Sequence, residues 1–454
     1  MNTARFGVAH LPVDLILHNA KVYTRKGLIE GGVAVDNGRI VKIAKKTNLP
    51  EATNRMNLGG KLALPGLIDS HVHLRDQQLA YREDFTSGTS AAAAGGVTTV
   101  LDMPNNQPTT MSTEALRERM KLAEPRILVN VAFNSAFPKE TNETGNIVAV
   151  GAVGFKLYLL QQIGGVNIDD DEALLNALKS AKNRGRPVCV HAEDRSTLEE
   201  AERKLKAEGK HDIAAFLKAH PDVAEKKAIA RITAIARKSS VHVHICHVSS
   251  AMGLREVLRA KRRVTAVTCE VTPHHLLLST RHLKTLGNIA LELPPLRTSR
   301  DVSALWRGLH SGGIDTIASD HAPHSWEEKT PKSVWDVKPG IAGLETMLPL
   351  MLTEVNRGRL TLRQLVRLTC HSPSRIFGFK DRGILDKGCI ADITVVDLKK
   401  RYRIDASRFY SKAKFSPFDG WKVKGGPVQT LVNGQLVMDE GDIVAKPGTG
   451  RLLK

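Results

Sequence analysis

Between residues 67 and 320 the chain alternates eight times between short apolar, β-branched runs and segments with apolar residues at helical spacing. The runs fall at 67–73, 97–103, 126–133, 152–159, 187–192, 241–248, 264–270 and 314–320. Between them lie segments such as 112–122 and 171–183, with Leu and Ala at helical spacing, and a long helical stretch over 195–238. Strand and helix taking turns demand a parallel sheet with helical crossovers, and eight such units close into a (β/α)8 barrel. A doubly wound open sheet is the alternative, but no Gly-rich phosphate loop follows the first run.

The two ends of the chain have a different character. At the front, Asp14 to Leu17, Gly32 to Val35 and Arg39 to Ile43 are short β runs, the last two separated by Asn37-Gly38. At the back, Ile393 to Val396, Gln429 to Val432 and Gln435 to Met438 repeat the pattern, with Asn433-Gly434 between the last two. Asn-Gly between apolar runs marks a hairpin. The expected α/β architecture is therefore a TIM-type barrel over 64–378, flanked by a small β-sandwich domain built from both termini, 1–63 and 379–454.

In such a barrel, reactive groups gather at the carboxyl ends of strands. The first run ends in His71-Val72-His73, and a two-residue period puts both imidazoles on one face, where they can bind one divalent metal. The fourth places Lys156 inside an apolar strand, costly unless paired or converted by CO2 to an anionic carbamate able to bridge two metals. The fifth and sixth end in His191 and His247, and the eighth in Asp320. Each alone has a bland reading, as a core histidine or a helix-capping aspartate. Four histidines on three strand ends are hard to explain by packing. Together these residues suit a metal pair that activates water for attack on an amide carbonyl, with Asp320 as metal contact and general base returning the proton to the leaving nitrogen. His242 and His244 lie deeper in the sixth run, and Cys246 is read as packing.

Bulk properties narrow the surroundings. The 454 residues carry a formal charge of +19, dispersed in short clusters, and aromatic residues make up 4 %, which offers little for stacking bases. A solvated basic surface is the reading, with no nucleic-acid partner. Five cysteines, an odd number without zinc-ribbon spacing, favour free thiols in a reducing compartment. The first 21 residues show no signal-peptide core, and no apolar stretch is long enough to span a membrane. The expected location is the cytoplasm.

The order His-x-His, Lys, His, His, Asp resembles the amidohydrolase superfamily over nearly the whole chain, from about Asp14 to Met438. Narrower motifs resemble dihydroorotases: His71 to Arg75, Tyr81 to Thr89, Met103 to Asn106, Glu270 to Leu276, Asp320 to His324 and Gly340 to Thr346. That resemblance implies reversible cyclisation of N-carbamoyl-L-aspartate to L-dihydroorotate in pyrimidine synthesis. It implies a pair of Zn2+ ions on His71, His73, carbamylated Lys156, His191, His247 and Asp320. Arg75, Asn105 and His324 would hold the substrate carboxylate, and Glu270 would support a further metal, orient a ligand or serve the framework. Relatives are often dimers, and some dihydroorotase-like chains associate with aspartate carbamoyltransferase. Two positions depart from the family pattern: Gln77-Gln78 stands where many relatives have Pro-Gly, and Leu293 where many have Asn. The segment 325–339 is expected to form a mobile loop over the site. Rival readings are an allantoinase or a hydantoinase (dihydropyrimidinase), whose rings need no carboxylate subsite, and an inactive scaffold for aspartate carbamoyltransferase.

Overall fold

The computed structural model describes residues 12–263 and 266–454. The first eleven residues of the segment read for a leader, and the opening of the run 264–270, lie outside the described residues. Eight parallel strands follow in order around a barrel: Leu67–Val72, Val97–Asp102, Asn130–Ala136, Ala152–Tyr158, Val188–His191, Val243–Ile245, Val267–Val271 and Thr316–Ile317. A parallel bridge between Val72 and His321 brings the last strand back to the first. The first four strands are buried along their whole length, which is why they read as continuous apolar runs and not as alternating ones.

Some boundaries differ from the sequence reading for local reasons. The sixth and eighth strands are only three and two residues long. Just beyond them His247 and Asp320 adopt positive φ, 32° and 46°, and leave the extended conformation. The stretch 195–238 is three helices, Arg195–Ala207, Ile213–Ala219 and Asp222–Ser239. Gly209 ends the first at φ 67°, Asp212 caps the second, and Pro221 precedes the third.

The termini build one hydrogen-bonded sheet of nine strands. Its seam joins the two ends of the chain: Leu62–Pro65 pairs antiparallel with Ile393–Arg403, Leu62 facing Val396 and Pro65 facing Ile393. Both Asn-Gly pairs are two-residue hairpin turns with positive φ at each position, 48° and 71° at Asn37-Gly38, 52° and 82° at Asn433-Gly434. The sheet has its own apolar core, in which Leu17, Val33 and Ile40 meet Ile393, Val395 and Leu431. The last strand, Leu452–Leu453, returns to pair with Asn130–Ala136 of the barrel. All five cysteines are buried and free, and no helix among the described residues is long and apolar enough to cross a membrane.

Candidate active site

At the carboxyl end of the barrel lies a cavity of about 580 Å3. His71, His73, Lys156, His191, His247 and Asp320 all line it, together with Arg75, Asn105 and His324. His71 and His73 stand with ring centroids 5.2 Å apart, and Nε2 of each is 3.3 Å from Asp320 Oδ1. The His247 ring is 5.2 Å from His71 and 4.5 Å from His191. Lys156 Nζ sits 3.2 Å from His71 Nε2 and 3.0 Å from the Cys246 thiol, so Cys246 meets the polar cluster in addition to packing. Glu270 does not face the cavity. It lies behind the ring of histidines, bonded to His71 Nδ1, to His244 Nε2 at 3.1 Å and to the His247 backbone N–H at 3.2 Å. His242 and His244 share the Thr268 hydroxyl, each at 2.8 Å.

The electrostatics suit a cation. Burial drives His73 down to about 3 and His247 well below the usual imidazole range, so both rings are neutral near pH 7 with lone pairs to offer. Burial alone would raise Asp320, but His71, His73 and His247 outweigh it and hold the carboxyl well below its ordinary value. One potential ligand atom from each of His71, His73 and Asp320 lies within 4.8 Å of the others, and so it does for His71, Cys246 and Glu270. His247 Nδ1 is buried without a partner among the described residues. Glu193 takes Nε2 of His191 at 2.8 Å, which leaves Nδ1 of that ring to a metal. The donor set therefore fits divalent metal.

Across the cavity Arg75 is buried yet forms no ion pair among the described residues. Its Nε has no partner among the described residues, its Nη2 lies 3.5 Å from His324 Nε2, and burial lowers it to about 10. Asn105 bonds His73 Nδ1 through Oδ1 at 2.6 Å, and its N–H2 group makes no hydrogen bond among the described residues. Gly340 makes room for His324, since a Cβ there would come within 2.3 Å of Ala322 O and 2.7 Å of the His324 ring. Leu160, Ile163, Leu198, Phe216 and Trp335 form an apolar part of the remaining wall, beside polar residues such as Gln161, Glu199 and Glu202, and Leu293 also faces the cavity. The segment 325–339 contributes Val334, Trp335 and Pro339 to the lining. It begins in a capped turn, Trp326–Lys329, tied down by Tyr81 and Arg82 on Glu328 and by Lys329 Nζ on Leu291 O and Gly340 O.

Several buried residues that carry this geometry are not legible as such in the sequence. Glu83 accepts from His321 Nε2 at 3.1 Å and from the Ser411 hydroxyl at 2.5 Å. Arg119 Nη2 pairs with Asp102 at 2.6 Å, while its Nη1 donates to Arg75 O at 2.8 Å. That clamp holds a backbone with positive φ at Arg75, Asp76 and Gln77, 55°, 55° and 52°. Gln77 belongs to the same clamp through Asn106 at 2.8 Å and Arg119 at 3.3 Å. Glu292 lines the cavity with Oε2 unpartnered among the described residues, and nothing in its sequence context marks it. The signal for Glu83 was its place in the motif Tyr81 to Thr89; the Asp102–Arg119 pair left none.

The amidohydrolase family model matches residues 62–437. A dihydroorotase of Methanothermobacter thermautotrophicus is 37 % identical over 440 residues, covering 97 % of each chain. An L-hydantoinase of Paenarthrobacter aurescens is 34 % identical over 447 residues, 97 % of this chain and 98 % of that one. Among solved structures, an L-hydantoinase (dihydropyrimidinase) from Arthrobacter aurescens superposes with a TM-score of 0.93 at 34 % identity, over 97 % of this chain and 99 % of the other.

Proposed function

The chain belongs to the amidohydrolase family, as a cyclic amide hydrolase of the dihydroorotase and hydantoinase kind, and on that premise we propose that it is a dihydroorotase, interconverting L-dihydroorotate and N-carbamoyl-L-aspartate. The observation that carries the choice is Arg75, a buried guanidinium facing the cavity that forms no ion pair among the described residues. A buried cation beside a metal site calls for an anion from the ligand. Dihydroorotate brings a carboxylate; dihydrouracil, hydantoin and allantoin do not.

In this reading His71, His73, His191, His247, Asp320 and a carbamylated Lys156 hold two zinc ions. Lys156 supports the carbamate: its side chain is fully buried, hydrogen-bonded to an imidazole and a thiol, and forms no ion pair among the described residues. The metals, when bound, acidify water and polarise the amide carbonyl. Arg75, Asn105 and His324 hold the carboxylate and so present the ring amide to Asp320. Asp320, kept anionic, takes a proton from the attacking water and delivers it to the ring nitrogen as the C–N bond breaks; ring closure runs the same transfers backwards. Glu193 and Glu270 fix the imidazoles they bond. The segment 325–339 closes the mouth, and Glu270 with Cys246 and His71 offers a place for a further metal.

The apolar wall of Leu160, Ile163, Leu198, Phe216 and Trp335 supports a second reading, a hydantoinase that accepts a ring with a bulky substituent. Initial rates on L-dihydroorotate, dihydrouracil, a 5-benzylhydantoin and allantoin decide between them, with Asp320→Ala as control. Turnover of dihydroorotate alone upholds the proposal; turnover of the benzylhydantoin in its place transfers the site to the second reading. The same reading sets the reaction in cytoplasmic pyrimidine synthesis and divides the chain at 1–63, 64–378 and 379–454. It expects a homodimer or a complex with aspartate carbamoyltransferase, which sizing of the protein alone and of the mixture tests. Silence on all four substrates from a protein that binds no stoichiometric metal would favour the inactive scaffold.

A further inference from the structure

A second cavity, of about 710 Å3, opens on the opposite face of the barrel. One wall is the helical segment Leu362–Val366, Arg367–His371 and Ser372–Phe377, whose middle turn is of the wide π type. This segment packs against the amino ends of the first and eighth barrel strands: the Cys370 thiol meets Pro65 O at 3.4 Å, and Arg367 reaches Ile314 O at 3.5 Å. The active site stands at the carboxyl ends. The other wall is the hairpin turn between Val13–Thr24 and Gly27–Asp36, set by Thr24, whose hydroxyl donates to Gly27 O at 2.8 Å and accepts the Lys26 backbone N–H at 3.2 Å.

Seven of the chain's 66 Lys and Arg residues line this one cavity, and no Asp or Glu among the described residues does. Arg382 is neutralised by Asp392. Arg25, Lys26, Arg363, Arg367, Arg375 and Lys380 form no ion pair among the described residues. The acids at hand are already engaged, Asp381 with Arg39 at 3.2 Å and Asp315 with Lys261. Along the helical wall Arg363, Arg367 and Arg375 stand four and eight residues apart, and Arg363 and Arg367 are near enough to repel each other. Arg367 is half-buried, and loss of solvent lowers it below the ordinary guanidinium value. A diffuse positive surface would leave its cations spread on convex ground in water. Here six converge on a concave space of ligand size, whose walls strengthen their common field.

We propose that this cavity binds a small oligophosphate, an anion with two or more linked phosphate groups such as a nucleoside di- or triphosphate. A single phosphate would leave most of the six cations unanswered. Arginine forks match phosphate oxygens in pairs. Tyr23 and Phe379 on the rim give an attached base two rings to lie against. The concave shape favours such a ligand over a duplex nucleic acid, which would lie across the mouth on the exposed cations and leave the half-buried Arg367 unanswered.

The test is calorimetric titration of the metal-replete, full-length protein at low ionic strength with tripolyphosphate, with ATP and with a 16-base-pair DNA duplex. It is repeated on Arg363→Gln, Arg367→Gln and Arg375→Gln. Arg363 and Arg375 are exposed, so their variants should keep the melting temperature and basal turnover of the parent. The proposal expects one site per chain for tripolyphosphate and ATP, weakened about tenfold by each substitution and weakened again by added salt. Equal affinity for the two ligands assigns the site to the phosphates alone; tighter ATP binding adds the base to what is recognised. Absence of saturable binding at millimolar ligand, or affinity indifferent to all three substitutions, overturns the proposal. Duplex binding tighter than either small ligand, and lost in the same variants, overturns it in favour of a nucleic-acid surface.

Discussion

Asp320 and Arg75 divide the work at the scale of single residues. The histidines beside Asp320 hold its carboxylate ionised despite burial, so it can accept a proton at neutral pH. Asp320→Asn keeps the shape but removes the proton acceptor, and turnover on any cyclic substrate should fall by about 10³-fold or more. Steady-state rates with metal content measured alongside check this; a variant that holds its metal and turns over within tenfold of the parent would remove Asp320 from proton transfer. Arg75→Lys tests the carboxylate subsite. A lysine keeps the charge but loses the planar fork, so KM for dihydroorotate should rise about tenfold or more. Any residual rate on dihydrouracil, which has no carboxylate, should stay level. Equal losses on both substrates would make Arg75 a framework residue.

Among the elements, the second barrel strand and the helix after it illustrate what is readable in sequence and what is not. Asp102 ends the strand Val97–Asp102, and Arg119 lies on the helix Thr113–Ala123, fully buried over the Phe85 ring at 4.8 Å. Arg119→Met leaves the Asp102 carboxylate buried and uncompensated, which should cost about 3–5 kcal/mol in urea unfolding. The same change frees the backbone at Arg75 and should raise KM for a carboxylate substrate beyond what lost stability explains. A stability change under about 1 kcal/mol would mean that water replaces the guanidinium. The strand ends bearing His71, His73, Lys156, His191, His247 and Asp320 were legible because an apolar run makes a reactive side chain conspicuous. Arg119 was not, since an arginine on an amphipathic helix reads as surface. Glu83 needed its partners His321 and Ser411, 238 and 328 residues away. The three-helix division of 195–238 was written in Gly209 and Pro221, yet its Ala, Lys and Glu content reads as one helix. The basic cavity was hidden for the same reason as Glu83: its walls come from residues 23–27 and 363–384.

The whole molecule couples the site to stability in two ways. Metal bound only by the folded chain stabilises it by mass action, about 4 kcal/mol at a thousandfold excess over Kd. Chelation should therefore lower the melting temperature, and zinc should restore it; a melting curve indifferent to chelator would argue that no metal is held. The second coupling joins the barrel to the C-terminal part of the chain. Glu345, on the helix Leu344–Asn356, accepts the backbone N–H groups of Tyr410 at 2.9 Å and Ser411 at 3.2 Å. Burial, aided by the nearby Glu83 charge and opposed by those two bonds, lifts its carboxyl from 4.5 to about 7. The folded state therefore holds a proton that the unfolded chain releases near pH 4.5. Stability from the neutral carboxyl is fully present below that pH and is lost as pH rises to about 7, on the order of 3 kcal/mol in all. Glu345→Gln cannot ionise and keeps a carbonyl oxygen for one of the two N–H groups. Its urea midpoint should fall less steeply than that of the parent between pH 4.5 and 7, and the two should differ most at pH 8, where the parent carries a buried charge between barrel and flank. Parallel pH profiles for the two proteins would show that Glu345 ionises in the fold as freely as in water, and that Tyr410 and Ser411 bind a carboxylate at no cost.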